Sequence, residues 1–172
     1  YLPFADEATA RRWLPGAAHL ASGEGPVVLH LAGPSSRPVR LGPSICYEDV
    51  FSGHPRALSR LDAEVLVNVS NDSWFGGHGA ARWHLMMAAF RSIETRLPQV
   101  RATNSGYSAF IEQDGSLHSV TEFDESTETS FTIRIADLGP TLFTRLGDWF
   151  AWLSVLLAGA AIVARSREGP RS

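Results

Sequence analysis

The only cysteine of the chain, Cys46, stands in Ile45-Cys46-Tyr47-Glu48-Asp49, directly after the strand-like run Pro38-Val39-Arg40-Leu41-Gly42-Pro43-Ser44. A nucleophile there would be displayed at the end of a strand, and Glu48 puts a carboxylate two residues from the sulfur. Such a thiolate works when a nearby cation lowers its pKa. Free cysteine is also among the most buried residue types and often serves as a small hydrophobe, so the pentapeptide alone leaves nucleophile and packed core thiol both open. Tyr47 is read as packing beside Cys46 rather than reacting, because no base is identifiable next to it.

Other groups of chemical interest follow. Asn71-Asp72-Ser73-Trp74-Phe75-Gly76-Gly77-His78-Gly79 is a loop with three glycines and two large aromatics. Asn71 and Asp72 fit loop and capping hydrogen bonds. His78 and His84 are six apart, a spacing that suits neither neighbours on a helix face nor a zinc motif, so no metal is expected. Arg91 and Glu94 are an i,i+3 helix-surface pair.

The elements that must position these groups come from a chain of 172 residues, long enough for one domain with a core. Its net charge of −3, with the signs interspersed, argues against nucleic acid as a partner. One cysteine excludes an intrachain disulfide. All fifteen cationic side chains are arginine; any mechanism needing a lysine must take it from outside these residues. Tyr1-Leu2-Pro3-Phe4 is not a signal peptide and lacks an initiator Met, so the chain reads as a piece of something longer, entered in mid-sequence.

Two β-like runs, Pro26 to Ala32 and Pro38 to Ser44, flank the turn-rich residues 33–37 as a hairpin. Residues 54–61 favour helix, and Glu64 to Ser70 is the nearly uninterrupted apolar run of a doubly covered strand, which makes a strand–helix–strand crossover. An amphipathic helix is predicted over 80–96, ended by Pro98, with Leu85, Met86, Met87, Phe90 and Ile93 as its packed face. A strand at 99–103, a turn at Asn104-Ser105-Gly106 and a hairpin around Asp114-Gly115 come next. Residues 122–128 read as a solvated loop and 129–135 as a half-buried strand.

From Trp149 to Ala164 sixteen residues carry no charge. At ~1.5 Å per residue they cover ~24 Å of a hydrocarbon core of ~30 Å. Leu142, Phe143 and Leu146 would prolong the helix, Arg165 would snorkel, and Trp149 and Trp152 would sit at the interface, which predicts a membrane helix over 142–165. Arg165, Arg167 and Arg171 then place a 166–172 tail in the cytoplasm and residues 1–141 on the far side.

Cys46-Tyr47-Glu48, the run Val67-Asn68-Val69-Ser70-Asn71-Asp72-Ser73-Trp74-Phe75-Gly76, a helix carrying Arg91 and Glu94, and Arg101-Ala102-Thr103-Asn104-Ser105-Gly106 together resemble the nitrilase (carbon–nitrogen hydrolase) superfamily, and within it the apolipoprotein N-acyltransferases. Leu2-Pro3-Phe4-Ala5-Asp6-Glu7 resembles a further segment of that family. The resemblance implies the C-terminal part of an α/β nitrilase-type α-β-β-α sandwich, its N-terminal part missing, followed by one transmembrane helix. It implies a Glu–Lys–Cys triad and ping-pong chemistry through a thioester. An acyl chain would pass from a membrane phospholipid to Cys46, and then to the N-terminal amine of an apolipoprotein's diacylglyceryl-cysteine. Of the triad only Cys46 lies in this chain, with Glu48 carried over as the acid beside it. Asp6, or Glu7 if the loop slips by one, takes the place of the family's additional glutamate. Tyr47, Asn71, Trp74 and Phe75 are carried as substrate-binding candidates; the two aromatics are either core anchors or a gate over an acyl-chain groove. No cofactor is implied, a monomer is expected, and the location is the bacterial inner membrane with the catalytic domain in the periplasm. Two rivals stay open: a soluble-type amidase or nitrilase acting on a small amide, and a degenerate membrane-anchored binding domain in which Cys46 is a core residue.

Overall fold

The computed structural model describes residues 23–33 and 37–167. Strands β1 (Leu29–Leu31), β2 (Val39–Ile45), β3 (Val65–Ser70), β4 (Gln99–Thr103), β5 (Ala109–Ile111) and β6 (Leu117–His118) form one sheet in chain order. β2, β3 and β4 run parallel, while β1–β2, β4–β5 and β5–β6 are antiparallel. Parallel neighbours need long crossovers, and helices α1 (Gly53–Arg60) and α2 (His78–Thr95) supply them. The hairpin before Cys46, the crossover and the Asp114-Gly115 hairpin are thus as the sequence predicts.

Side-chain alternation along the strands separates two faces. On one, Leu58 of α1 packs with Ala63 and Leu66, and Leu85 and Ala88 of α2 pack with Ala109 and Ile111. On the other, Leu41, Pro43 and Ile45 register beside Val65, Val67 and Val69. Toward the strand ends that face is open among the described residues: Ile45 is 66% and Val69 52% exposed. α2 stops at Arg96, whose φ of 57° is left-handed. Pro98 could not continue the helix.

Three expectations are corrected. The packed face of α2 is the stripe Ala81, His84, Leu85, Ala88, Arg91, Ser92 and Thr95, whereas Met86, Phe90 and Ile93 are exposed. The helix is turned this way because His84 and Arg91 meet their buried partners only on the sheet side, and the alanines allow close approach. Residues 129–135 form no strand. Phe131 stacks on Phe110 and His118 and Gln113 donates to the Ala136 carbonyl, so the segment lies along the sheet without a ladder.

The third concerns 142–165, which is not one helix but two, α3 (Leu142–Leu146) and α4 (Trp149–Arg167). Gly147 separates them at φ 65° and ψ −138°, a conformation that side chains with a Cβ resist. α3 is part of the domain: the Thr141 hydroxyl caps its first turn by accepting from the Thr144 amide, and Arg56 of α1 donates to the carbonyls of Phe143, Thr144 and Arg145 at its last. In α4, Trp152, Leu156 and Ile162 are all roughly 70% exposed. Its 19 residues span ~28 Å, short of a ~30 Å hydrocarbon core. Among the described residues no helix is long and apolar enough to cross a membrane.

Candidate active site

β2 ends at Ile45, and the chain turns at once into a single 3₁₀ stretch, Cys46–Val50. Cys46 itself sits at φ 52°, in the left-handed region, where a residue with a Cβ pays ~1–2 kcal/mol. It is half-buried. Strain of this kind persists where surrounding contacts over-determine it, and here they come from both sides. Glu48 folds back so that its carboxylate accepts from the Ile45 amide at 2.8 Å. The Asn68 side-chain amide donates to the Cys46 carbonyl at 3.1 Å, and Arg91 donates to the Val50 carbonyl at 2.8 Å. Arg91, expected on the helix surface, is buried and bonds Glu94 with its other nitrogen at 2.8 Å. Burial raises the Glu94 pKa, Arg91 lowers it and Asp148 raises it, with a net rise.

Beneath the turn lies a buried cluster of charge. His84 of α2 bonds Asp49 through Nε2 at 2.8 Å and Asp72 through Nδ1 at 3.0 Å. Arg101 of β4 donates to Asp49, to Asp72 at 3.2 Å and to the Asn68 side-chain carbonyl at 2.8 Å. The Ser70 hydroxyl donates to Asp72 at 2.6 Å. Two carboxylates thus face two cationic groups, which is how charges survive out of water. Burial pushes the His84 pKa down, but the hydrogen bonds its ring donates to Asp49 and Asp72 outweigh it and leave it at about 9, so the ring is an imidazolium. The same ring and Arg101 hold Asp72 below the usual carboxylate range although burial opposes them. Gly106 comes so close to Asp72 that any Cβ would enter its carboxylate, which explains the glycine in that turn.

The candidates from the sequence separate into groups. Cys46, Tyr47 and Glu48 share one turn, and Trp74 and Phe75 share another, Ser73–Phe75. His84 links the turns, its ring 5.6 Å from Tyr47 and 5.5 Å from Phe75 between centroids. Trp74 is 86% exposed, which removes the core-anchor reading for it. Asn71 accepts from the Ser73 amide at 3.1 Å, the loop role expected of it. Asp72 has a larger part than the loop bond assigned to it. Asp6 and Glu7 lie outside the described residues. Sequence reasoning missed Asp49, Asn68, His84 and Arg101 as a unit. Asn68 and Arg101 stood in the runs that carry the family resemblance, but nothing in the sequence joined the four. Among the described residues no group of His, Cys, Asp and Glu is arranged to hold a metal ion.

Over residues 9–142 the sequence matches the carbon-nitrogen hydrolase family. The chain belongs to that family. Among curated relatives of this carbon-nitrogen hydrolase chain, the apolipoprotein N-acyltransferase of Bdellovibrio bacteriovorus is 34% identical over 174 residues, covering 100% of this chain and 31% of the relative. That of Geobacter metallireducens is 33% identical over 95% of this chain and 31% of its own length. The chain therefore spans under a third of the relatives it matches. Among solved structures, a variant of the Nesterenkonia AN1 amidase of the nitrilase superfamily superposes with a TM-score of 0.51 at 16% identity, covering 62% of this chain and 41% of that one. At that identity the likeness shows a common fold, the nitrilase-type α/β arrangement with its mixed sheet.

Proposed function

We propose that this carbon-nitrogen hydrolase chain is part of an apolipoprotein N-acyltransferase in which Cys46 is the nucleophile. The observation that carries the reading is that the 34% identity extends over 100% of the chain, the exposed apolar helix α4 included. A bilayer-borne donor and acceptor give that helix a purpose that a small soluble amide would not. In the first half-reaction a base takes the Cys46 thiol proton, the thiolate attacks the ester carbonyl of a phospholipid, the ester bond breaks, and the lysophospholipid alkoxide leaves with that proton, returned by the base. In the second, the neutral amine of the apolipoprotein's N-terminal diacylglyceryl-cysteine attacks the thioester. The thiolate leaves, and the amine's proton passes to a base.

The triad's Glu and Lys are placed in polypeptide beyond these 172 residues, which contain no lysine. The open face of the sheet is read as the face that the second sheet of the sandwich covers. Glu48 shapes the backbone ahead of the nucleophile, and Tyr47, Trp74 and Phe75 offer apolar surface to the acyl chain, with Trp74 as its gate. Asn71 is read as supporting that loop, and Asp6 or Glu7 as the additional acid. α4 enters the inner membrane, the catalytic domain lies on the periplasmic side, the tail is cytoplasmic, and the unit acts as a monomer.

The test is intact-protein mass spectrometry of the full natural polypeptide after incubation with phospholipid in detergent. Native protein gains one acyl group at Cys46 and releases it to a diacylglyceryl lipopeptide. Cys46→Ala gains none and Cys46→Ser at most a trace, because a serine hydroxyl is scarcely ionised where a thiolate is needed. An adduct surviving in Cys46→Ala rejects the nucleophile, and hydrolysis of small amides without acyl transfer favours an amidase.

A further inference from the structure

We propose that Asn68 is a positioning residue that holds Cys46 in its left-handed conformation, and that Arg101 sets the orientation of Asn68. The inference rests on the reading of Cys46 as the nucleophile. Its starting point is the sheet register. Ser44 of β2 pairs with Asn68 of β3, and Asn68 pairs with Arg101 of β4, so three polar side chains lie in one row across the parallel strands. The row ends two residues before the nucleophile. All three are buried, and Asn68 and Arg101 essentially completely, so the amide has no water to exchange with.

An asparagine side chain can face either way, and the neighbours decide. Arg101 is donor-only, and its Nη1 lies 2.8 Å from Asn68 Oδ1. The reversed orientation would set an NH₂ against a guanidinium in a dry site. Nδ2 is therefore directed to its two acceptors, the Ser44 hydroxyl at 3.0 Å and the Cys46 carbonyl at 3.1 Å. Arg101 cannot turn in its place, because Asp49 and Asp72 bind its two terminal nitrogens, and both carboxylates are bridged by His84. Asp49 closes the circuit, since it belongs to the same turn as Cys46.

The peptide between Cys46 and Tyr47 is a rigid plane. Fixing its oxygen fixes the plane, and relaxing Cys46 to a right-handed φ would swing that oxygen away from Nδ2. A row of polar residues in a sheet core costs stability relative to apolar packing. Here it retains a strained residue whose side chain must point one way.

The test uses the full natural polypeptide and two readouts: alkylation of Cys46 by iodoacetamide, and acyl-enzyme formation from phospholipid with kcat and KM separated. Asn68→Ala and the equal-sized Asn68→Asp, which keeps the Arg101 contact but presents an oxygen to the Cys46 carbonyl, are compared with Thr95→Ala. Thr95 is a buried hydroxyl at the far end of α2, bonded to the Arg91 carbonyl at 2.7 Å. In folded protein, both Asn68 variants lower the alkylation rate and kcat by about tenfold or more with KM little changed, whereas Thr95→Ala lowers only the melting temperature. Wild-type rates in folded Asn68→Asp overturn the proposal, as does an equal loss in Thr95→Ala, which would mean general loosening. Should Asn68→Ala not fold, Asn68→Asp decides alone. If native protein takes no acyl group yet alkylation still falls in the Asn68 variants, the acyltransferase reading fails and the positioning of Cys46 stands.

Discussion

Glu48 and His84 are the residues whose charge bears most directly on the turn. Glu48 accepts from the Ile45 amide with a carboxylate that is half exposed, so its hydrogen bond is charge-assisted while much of its charge stays hydrated. Glu48→Gln retains an acceptor oxygen and the shape. We expect melting to shift by at most a few degrees and acyl-enzyme formation to slow by about tenfold, ~1.4 kcal/mol. A sharp fall in melting, with normal reactivity in the remaining folded protein, would make Glu48 structural only. His84 carries a pH dependence of determined sign. Its folded pKa of about 9 lies above the ordinary 6.5, so the stability it contributes is fully present below pH 6.5 and is lost as the pH rises through about 9. That contribution is on the order of 3 kcal/mol. Urea midpoints between pH 6 and 9.5 measure it: the native midpoint falls over this range, and in His84→Asn, whose side chain does not titrate, the fall from this source is gone.

At the scale of elements, α3 is docked at both ends: the Thr141 and Thr144 hydroxyls donate to the Glu94 carbonyl of α2, and Arg56 holds the other end. Arg56 reaches three carbonyls at the C-terminal end of α3, where the helix's partial negative charge favours a cation. Arg56→Ala is expected to weaken the docking by about 1–3 kcal/mol. Hydrogen exchange of the 143–147 amides reads this as faster exchange there, with β3 and β4 unchanged. Uniformly faster exchange would mean that α3 is part of the global core. In α4, by contrast, Phe150, Trp152, Leu156 and Ile162 are all about two-thirds exposed. On the membrane reading proposed for α4, deleting 149–172 from the full polypeptide releases it from membranes to the extent that this segment anchors it, without affecting Cys46. Fractionation of a fusion of residues 142–172 to a soluble carrier, at high salt and alkaline pH, tests the segment by itself. A fusion that washes free shows that α4 only lies on a surface.

For the whole molecule the decisive feature is the sheet face that is open among the described residues. Ile45 and Val69 are side by side on it in register, at the strand end that leads into Cys46. Exposed apolar sheet surface of this kind promotes association. The 172 residues expressed alone are expected to be marginal and aggregation-prone, and to form no acyl-enzyme although Cys46 alkylates. Arginine is effectively unable to donate a proton at neutral pH, and no lysine is present. Mass spectrometry beside a version extended upstream to the next Lys and Glu decides. Acylation of the short chain at a rate near that of the extended one would place the whole catalytic machinery within these residues.

What the sequence alone determined was local. β2, β3, β4 and the two crossover helices were legible because short apolar runs, helical periodicity and turn residues act over a few positions. Cys46 stood out as a candidate only because Cys46-Tyr47-Glu48 occurs together with the run from Ser70 to Gly76; the pentapeptide alone left nucleophile and core thiol both open. Two things were decided only by the tertiary structure. The face of α2 was misread because apolar content points to Met86, Phe90 and Ile93, whereas partners 35 and 12 residues away, Asp49 and Asp72, draw His84 inward. The row Ser44–Asn68–Arg101 exists only once the parallel register brings residues 24 and 33 positions apart side by side. Charges and hydrogen bonds buried together reward that long-range meeting far more than any local preference does, and no short window of sequence contains both partners.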